Sequence, residues 1–499
     1  MGLTLSDSGS SCSPPADRIA LPPGRGRNEA CPCGSGRKYK RCCWEQDQVL
    51  RRLARVAAIP DWLLNSDRKL HQFVKYVCKV FALPELLARL HDTRRHPQIS
   101  TFDVVLSLLH AALLRIPSLN ALEGDLKESD FQKLLGYEPT PGEKTFSADT
   151  VANVLDQLEL DQVHAILEEI IATAERNKVF REGGYGAMRC VAIDGWQPFS
   201  SYDRHCPHCL TRTLQRSDGQ SVVQYYHHYV VALMISPDLD VVLAIEPVLN
   251  EEALRDTDPT HKGHEGELTA AHRLLDRLHQ TYGSFLDVIV ADALYANGPW
   301  MTKLDDYGYG GLIVLKKEDN EPFKEALALW HGRKPDEIYE DLENKEHIEF
   351  WDADEIETLD TYKGKVRVIR AVVTPSDQPD AVPSTWCFAL IGCARKLSRR
   401  TALKATRARW HIENTAFHQW ISYWHLGHVF HHQPNALLAL LLLWMLAFNL
   451  LQLFIYRRLK RPRRPQDPTD TIRHIVEVML REVATLLAPI PWAPCPDTS

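Results

Sequence analysis

Three carboxylates are placed where a sequence could do chemistry. Asp194 closes the apolar run "CVAID", Asp292 closes "DVIVAD", and Glu413 sits in "RARWHIEN". Each aspartate ends a buried-looking strand, and ligands of α/β sheets gather beyond the carboxyl ends of strands. A strand-end aspartate is also a common turn former or helix cap, so either one alone decides nothing. Two such acids followed by a helical glutamate suggest a converging carboxylate site. Converging carboxylates repel one another unless a cation lies between them. Mg²⁺ suits such a set, with Mn²⁺ as a substitute, because it takes few carboxylates and keeps positions open for phosphate oxygens. Such ions stabilise the attacking and leaving oxygens of an in-line displacement at phosphorus.

Around Glu413 the chain is basic. Residues 395–409 hold Arg395, Lys396, Arg399, Arg400, Lys404, Arg407 and Arg409 with no acid, and 457–464 form a second block. Although the net charge of -7 excludes a uniformly basic coat, local blocks can still neutralise phosphates. Arg400, Lys404, Arg407 and Arg409 are therefore the expected DNA-backbone contacts. Helical spacing puts Arg409, Glu413 and Phe417 on one face, although Arg409 to Glu413 is also an ordinary i,i+4 pair.

The twelve cysteines fall mostly in close pairs, which suggests metal binding in a reducing compartment. "CPCGSGRKYKRCC" spaces Cys31, Cys33, Cys42 and Cys43 as C-x-C-x8-C-C around a Gly-Ser-Gly turn. Four thiolates so grouped suit a closed, structural Zn²⁺ site. "RHCPHCLTR" is a weaker signal. Cys206 and Cys209 could form a second zinc site completed by His205, His208, His227 or His228, or could simply pack. The histidines at 425, 428, 431 and 432 read as a solvated helix end rather than as ligands.

These residues need elements to hold them. Residues 1–26 read as a disordered tail, 27–44 as the compact cysteine motif, and 45–180 as helices throughout. From 186 the pattern becomes α/β. Strands are expected at 188–194, 222–235 and 240–248, then a helix at 266–283, a strand at 286–292, a short helix near 297–308 and a strand at 311–317. That order is ribonuclease-H-like, with a catalytic core at 186–317 and 401–456 and a β-rich insertion at 318–400. Residues 457–499 read as a basic tail. The run 436–456 is long enough to span a bilayer, but Asn449 and Gln452 interrupt it and a buried helix is the simpler reading. The N-terminus lacks a charged-then-apolar layout, so a cytoplasmic protein without a membrane partner is expected.

"VAIDGWQPFSS", "VIVADALYANGPW" and "RARWHIENTAFHQW" together resemble the DDE transposases of bacterial insertion sequences, in the insertion-sequence-four-like group. The resemblance covers about 145–456 and aligns Asp194, Asp292 and Glu413 with the triad. It implies a ribonuclease-H-like core, end recognition by the helical region 45–180, binding to terminal inverted repeats and target DNA, and a homodimer on paired ends. The group's helix motif is Tyr-x2-Arg-x3-Glu-x6-Lys. Arg409 and Glu413 fit it, but Thr406 stands at the tyrosine position and Trp420 at the lysine position. Trp330 or Trp351 would be the insertion residue that stacks a flipped base, unless both are core. "CPCGSGRKYKRCC" resembles the SEC-C motif. Two rival readings stand beside strand transfer: an inactive or domesticated DNA-binding or adaptor protein, and a metal-dependent nuclease.

Overall fold

The structure, a computed structural model, describes residues 28–31, 35–42, 60–95, 97–138, 145–181, 184–217, 219–256, 258–315, 321–357, 359, 361–377, 381–459 and 472–492. The chain divides into two units. One comprises residues 1–89, 127–143 and 478–499, and the other 90–126 and 144–477.

The helices of the first unit include Asp61–Leu64, Lys69–Tyr76, Leu83–Leu87 and Ser129–Leu134. Residues 478–499 of the segment read from sequence as a basic tail belong to this unit. Glu482 places its two carboxylate oxygens on the N–H groups of Lys69 and Leu70, 2.9 and 2.7 Å away. An anion at a helix start satisfies donors that lack intrahelical partners and complements the helix dipole. The Trp492 indole N–H donates to the carbonyl of Leu134 at 2.7 Å.

The second unit holds the sheet and its helices. Before the sheet come α1 (Thr101–Leu114), α2 (Ala148–Gln157) and α3 (Leu160–Arg176). Ser100 and Ser147 cap the first two through the N–H groups of Asp103 and Thr150. The region 45–180 is thus shared between the two units, because the apolar faces of α1, α2 and α3 are buried on a helix from much later in the chain.

Six strands follow: β1 (Cys190–Trp196), β2 (Ser200–Ser201), β3 (Leu210–Gln215), β4 (Ser221–Tyr226), β5 (Tyr229–Ile235) and β6 (Val241–Pro247). Next are α4 (Glu267–Tyr282), β7 (Val288–Ala291), α5 (Gly298–Asp306) and β8 (Gly310–Val314). The main sheet runs β6-β5-β1-β7-β8 and then continues. β1 pairs antiparallel with β5 and parallel with β7, and β7 pairs parallel with β8. The expected strand 222–235 is two strands in two sheets. The chain breaks at His227 and His228, and β4 joins β2 and β3 in a separate three-stranded sheet.

Residues 318–400 do not form a separate layer. They add a helix, Glu321–Trp330, and four strands: β9 (Glu337–Asp341), β10 (Glu346–Ile356), β11 (Val366–Pro375) and β12 (Ser384–Ile391). β12 pairs antiparallel with β8, so one nine-stranded sheet runs through core and insertion. Trp330 is buried and belongs to the core. Trp351 is half-buried and donates to the carbonyl of Arg333.

The chain returns through α6 (Arg399–Ala408), a π-helical turn at Ile412–Phe417 and a helical segment at His418–Ser422, then enters α7 (Pro434–Phe454). α7 packs on α1, α2, α3 and β6. Its apolar length, sufficient to cross a membrane, is mostly buried in this core. Asn449 is the telling exception in the leucine run. Fully buried, it donates to the Val242 carbonyl at 2.7 Å and accepts from the Val242 N–H at 2.8 Å. Val242 lies on β6, the end strand of the sheet, where the register with β5 shifts by a residue. Asn449→Leu would leave both backbone groups buried and unpaired, at about 1–3 kcal/mol each. Urea unfolding should therefore show a loss of about 2–4 kcal/mol, and a change within about 0.5 kcal/mol would contradict this role.

Candidate active site

Asp194 lies on β1, and Asp292 directly follows β7, the strand that pairs parallel with β1. Cys190 pairs with Val288, Val191 with Ile289 and Ala192 with Val290. Continuing the same offset beyond the last pair matches Asp194 with Asp292. Paired strands lie about 4.8 Å apart, and Asp292 is close enough to act electrostatically on Asp194. Asp292 is also a cap, as the bland reading expected, with Oδ1 accepting from the Leu294 N–H at 2.8 Å.

Glu413 is linked to Asp194 through Arg409. The guanidinium donates to Asp194 Oδ2 at 2.8 Å and to Glu413 Oε1 at 2.7 Å. Arg409 is only 4% exposed, and its guanidinium lies between these two carboxylates. The π-turn widens the helix at Glu413 itself, a distortion frequent at functional sites. Behind the turn, Trp196 stacks on Phe417 at 5.6 Å and meets Trp420 edge-on at 5.0 Å. Trp420, at the lysine position of the motif, is therefore buried aromatic core. Thr406, at the tyrosine position, bonds back to the Ala402 carbonyl at 2.8 Å.

Two residues that sequence reasoning did not single out join the site. Glu267, the first residue of α4, accepts from the Tyr295 hydroxyl at 2.8 Å and lies 3.1 Å from His228 Nε2. A Cβ at position 195 would fall 2.2 Å from Glu267 Oε2, so glycine after Asp194 makes room for this carboxylate. The available signals were the "DG" after the strand and the acid opening a helix. Neither is specific.

Burial pushes the Asp194 carboxyl up to about 6, opposed by Arg409 and reinforced by Glu413, Asp292 and Glu267. Burial and Glu267 hold the Tyr295 hydroxyl well above its ordinary range. The donor set fits a hard divalent cation: it offers only carboxylate oxygens, from separate elements, around a buried acid that added positive charge would relieve. In this structure Arg409 supplies the positive charge between Asp194 and Glu413.

The remaining basic residues are placed as follows. Arg407 donates to Glu346 at 2.7 Å, and Arg400 to Glu337 at 2.6 Å while covering the Tyr339 ring. Lys404 is exposed. The basic block contains no acids of its own because β9 and β10 supply them. Of the second block, only Arg457 and Arg458 fall within the described residues.

Among the cysteines, Cys31 is buried and Cys42 half-buried, and the Cys31 N–H donates to the Arg37 carbonyl at 2.7 Å. Cys33 and Cys43 lie outside the described residues. Cys206 and Cys209 gather with His227 and His432, all four ligand atoms lying within 4.8 Å of one another. His432, read from sequence with the solvated histidines 425–431, lies 3.4 Å from Cys209 Sγ. His205 instead stacks on Tyr225, and His228 turns to Glu267.

Carboxylates on or after adjacent strands and on a returning helix are the candidate oxygen donors here. Residues 250–450 match the family model of the transposase DDE domain, and residues 27–45 match that of the SEC-C motif. Asp292 and Glu413 lie inside the first match, and Asp194 precedes it. No curated protein matches the chain.

Proposed function

We propose that the protein is a DNA transposase. It binds the terminal inverted repeats of its element, cuts to free 3′-hydroxyls and directs them at target DNA. The observation that carries this reading is Asp194 on β1 and Asp292 just after its parallel neighbour β7, with Glu413 tied to Asp194 through one buried arginine. The strand order β6-β5-β1-β7-β8, antiparallel then parallel, supports a ribonuclease-H-like core. The match to the transposase DDE domain supports the substrate class.

Asp194, Asp292 and Glu413 would hold Mg²⁺ or Mn²⁺. When bound, such ions supply an activated nucleophile and stabilise charge on the displaced oxygen. The chain's own residues set the geometry. The two strands fix the aspartates, while the Trp196–Phe417–Trp420 cluster fixes the helix that carries Glu413. Arg409 orients two of the carboxylates, and Tyr295 with His228 holds Glu267 beside Asp194. SEC-C residues Cys31, Cys33, Cys42 and Cys43 would bind a structural Zn²⁺.

Among the basic residues of α6, exposed Lys404 and half-exposed Arg400 are the proposed phosphate contacts. Their double alanine variant should weaken binding uniformly across sequences and flatten the log-affinity versus log-salt slope by about 2. An unchanged slope in gel-shift titrations would remove both from the interface.

The reading is tested with a plasmid carrying the inverted repeats that flank the coding sequence, incubated with protein and Mg²⁺. Cleavage at the repeats with joining to a second plasmid is expected, and a homodimer on paired ends should be the active species. Cleavage without joining would make the protein a nuclease. Binding without cleavage would make it an adaptor.

A further inference from the structure

Cys206 and Cys209 form a tight turn between β2 and β3. The Cys209 N–H donates to the Cys206 carbonyl at 3.1 Å, and the Cys206 N–H donates to Cys209 Sγ at 3.3 Å. The two sulfurs are 3.7 Å apart, far beyond a disulfide bond of about 2.05 Å. Two thiolates about 2.3 Å from a tetrahedral zinc would stand about 3.8 Å apart. His227 Nε2 lies 3.2 Å from Cys206 Sγ and 3.3 Å from Cys209 Sγ. His432 Nε2 completes the group at 3.4 Å from Cys209 Sγ. Both cysteines and His227 are buried. Thiols are weak hydrogen-bonding groups, so gathering four soft donors head to head gains little without an ion.

We propose that Cys206, Cys209, His227 and His432 form a closed Cys2His2 zinc site, separate from the four-cysteine motif at 31–43. Four protein ligands fill a tetrahedron and leave no position for water, so the ion is structural. The ligands come from three places: the β2–β3 connection, the break between β4 and β5, and the loop entering α7. The ion would therefore tie the small sheet to the segment that follows the Glu413 helix. It also explains why the chain breaks at His227 and His228. One histidine turns to the sulfurs, and its neighbour turns to Glu267 at the carboxylate site. Phe199 packs 5.8 Å from His227 and 6.4 Å from His432, shielding one side.

Zinc per chain is counted by elemental mass spectrometry on full-length protein, where the contribution of residues 31–43 is common to all variants. Cys206→Ser/Cys209→Ser and His432→Ala should each lose one zinc per chain. His431→Ala should lose none, because His431 pairs with Asp156 at 3.0 Å instead. His432→Cys should keep the ion and, in the cobalt-substituted protein, gain sulfur-to-metal charge-transfer intensity from a third thiolate. That arm decides the matter if the double serine variant does not fold. Unchanged zinc in a folded double variant, equal loss in His431→Ala, or no added intensity in His432→Cys would overturn the site.

Discussion

Asp194→Asn, Asp292→Asn and Glu413→Gln are each expected to lower strand cleavage by on the order of 10³-fold or more, with affinity for the DNA ends nearly unchanged. The amides keep the size and some hydrogen bonds of the carboxylates, so Gly195 N–H, Leu294 N–H and Arg409 retain partners. What disappears is the negative charge that would hold a cation. Affinity should persist because phosphate contacts dominate it, and carboxylates are repelled by phosphates rather than bound to them. Nicking and gel-shift assays run in parallel read both quantities. A single variant that cleaves at near the wild-type rate would remove its residue from the site.

Arg409→Met is expected to destabilise the metal-free protein by about 3–5 kcal/mol, since it strands buried carboxylates without a counter-charge. The pH dependence has a definite sign. Asp194 is held up to about 6 in the folded protein, above an unfolded value of about 3.9. The folded state therefore binds the extra proton, and stability falls as pH rises through that window. Without Arg409 the folded value rises further, so the loss should extend to higher pH. Mg²⁺ should restore more melting temperature to the variant than to the wild type, because it replaces the missing charge. Thermal unfolding at several pH values, with and without Mg²⁺, checks both. A variant as stable as wild type without metal would mean that Arg409 does not balance these acids.

The two aspartates stood out in the sequence because each ends a short, β-branched run, and strand alternation and turn residues are local signals. Glu413 was legible only through its helical spacing from Arg409 and a family resemblance. Other features depend on pairings that no local pattern encodes. "VVQYYHHYVVALMI" reads as one strand, yet its first half pairs with β3 and its second with β1. The insertion looked separate because β12 finds β8 across some seventy residues of chain. The block at 395–409 looked wholly unpaired because the acids that partner several of its arginines lie on β9 and β10. His432 looked like one of several solvated histidines, and only the fold brings it to Cys209. Within α7, Asn449 looked like an interruption, and its partner is the backbone of an end strand.

Manganese binding measures the shared carboxylate site most directly. Electron paramagnetic resonance can titrate Mn²⁺ into the full-length protein and into Asp194→Asn, Asp292→Asn and Glu413→Gln, each checked for fold by circular dichroism. A common centre predicts that wild type binds Mn²⁺ and that all three variants lose the same bound signal. Full retention of that signal by any folded variant, Glu413→Gln above all, would contradict a single site built from these three residues.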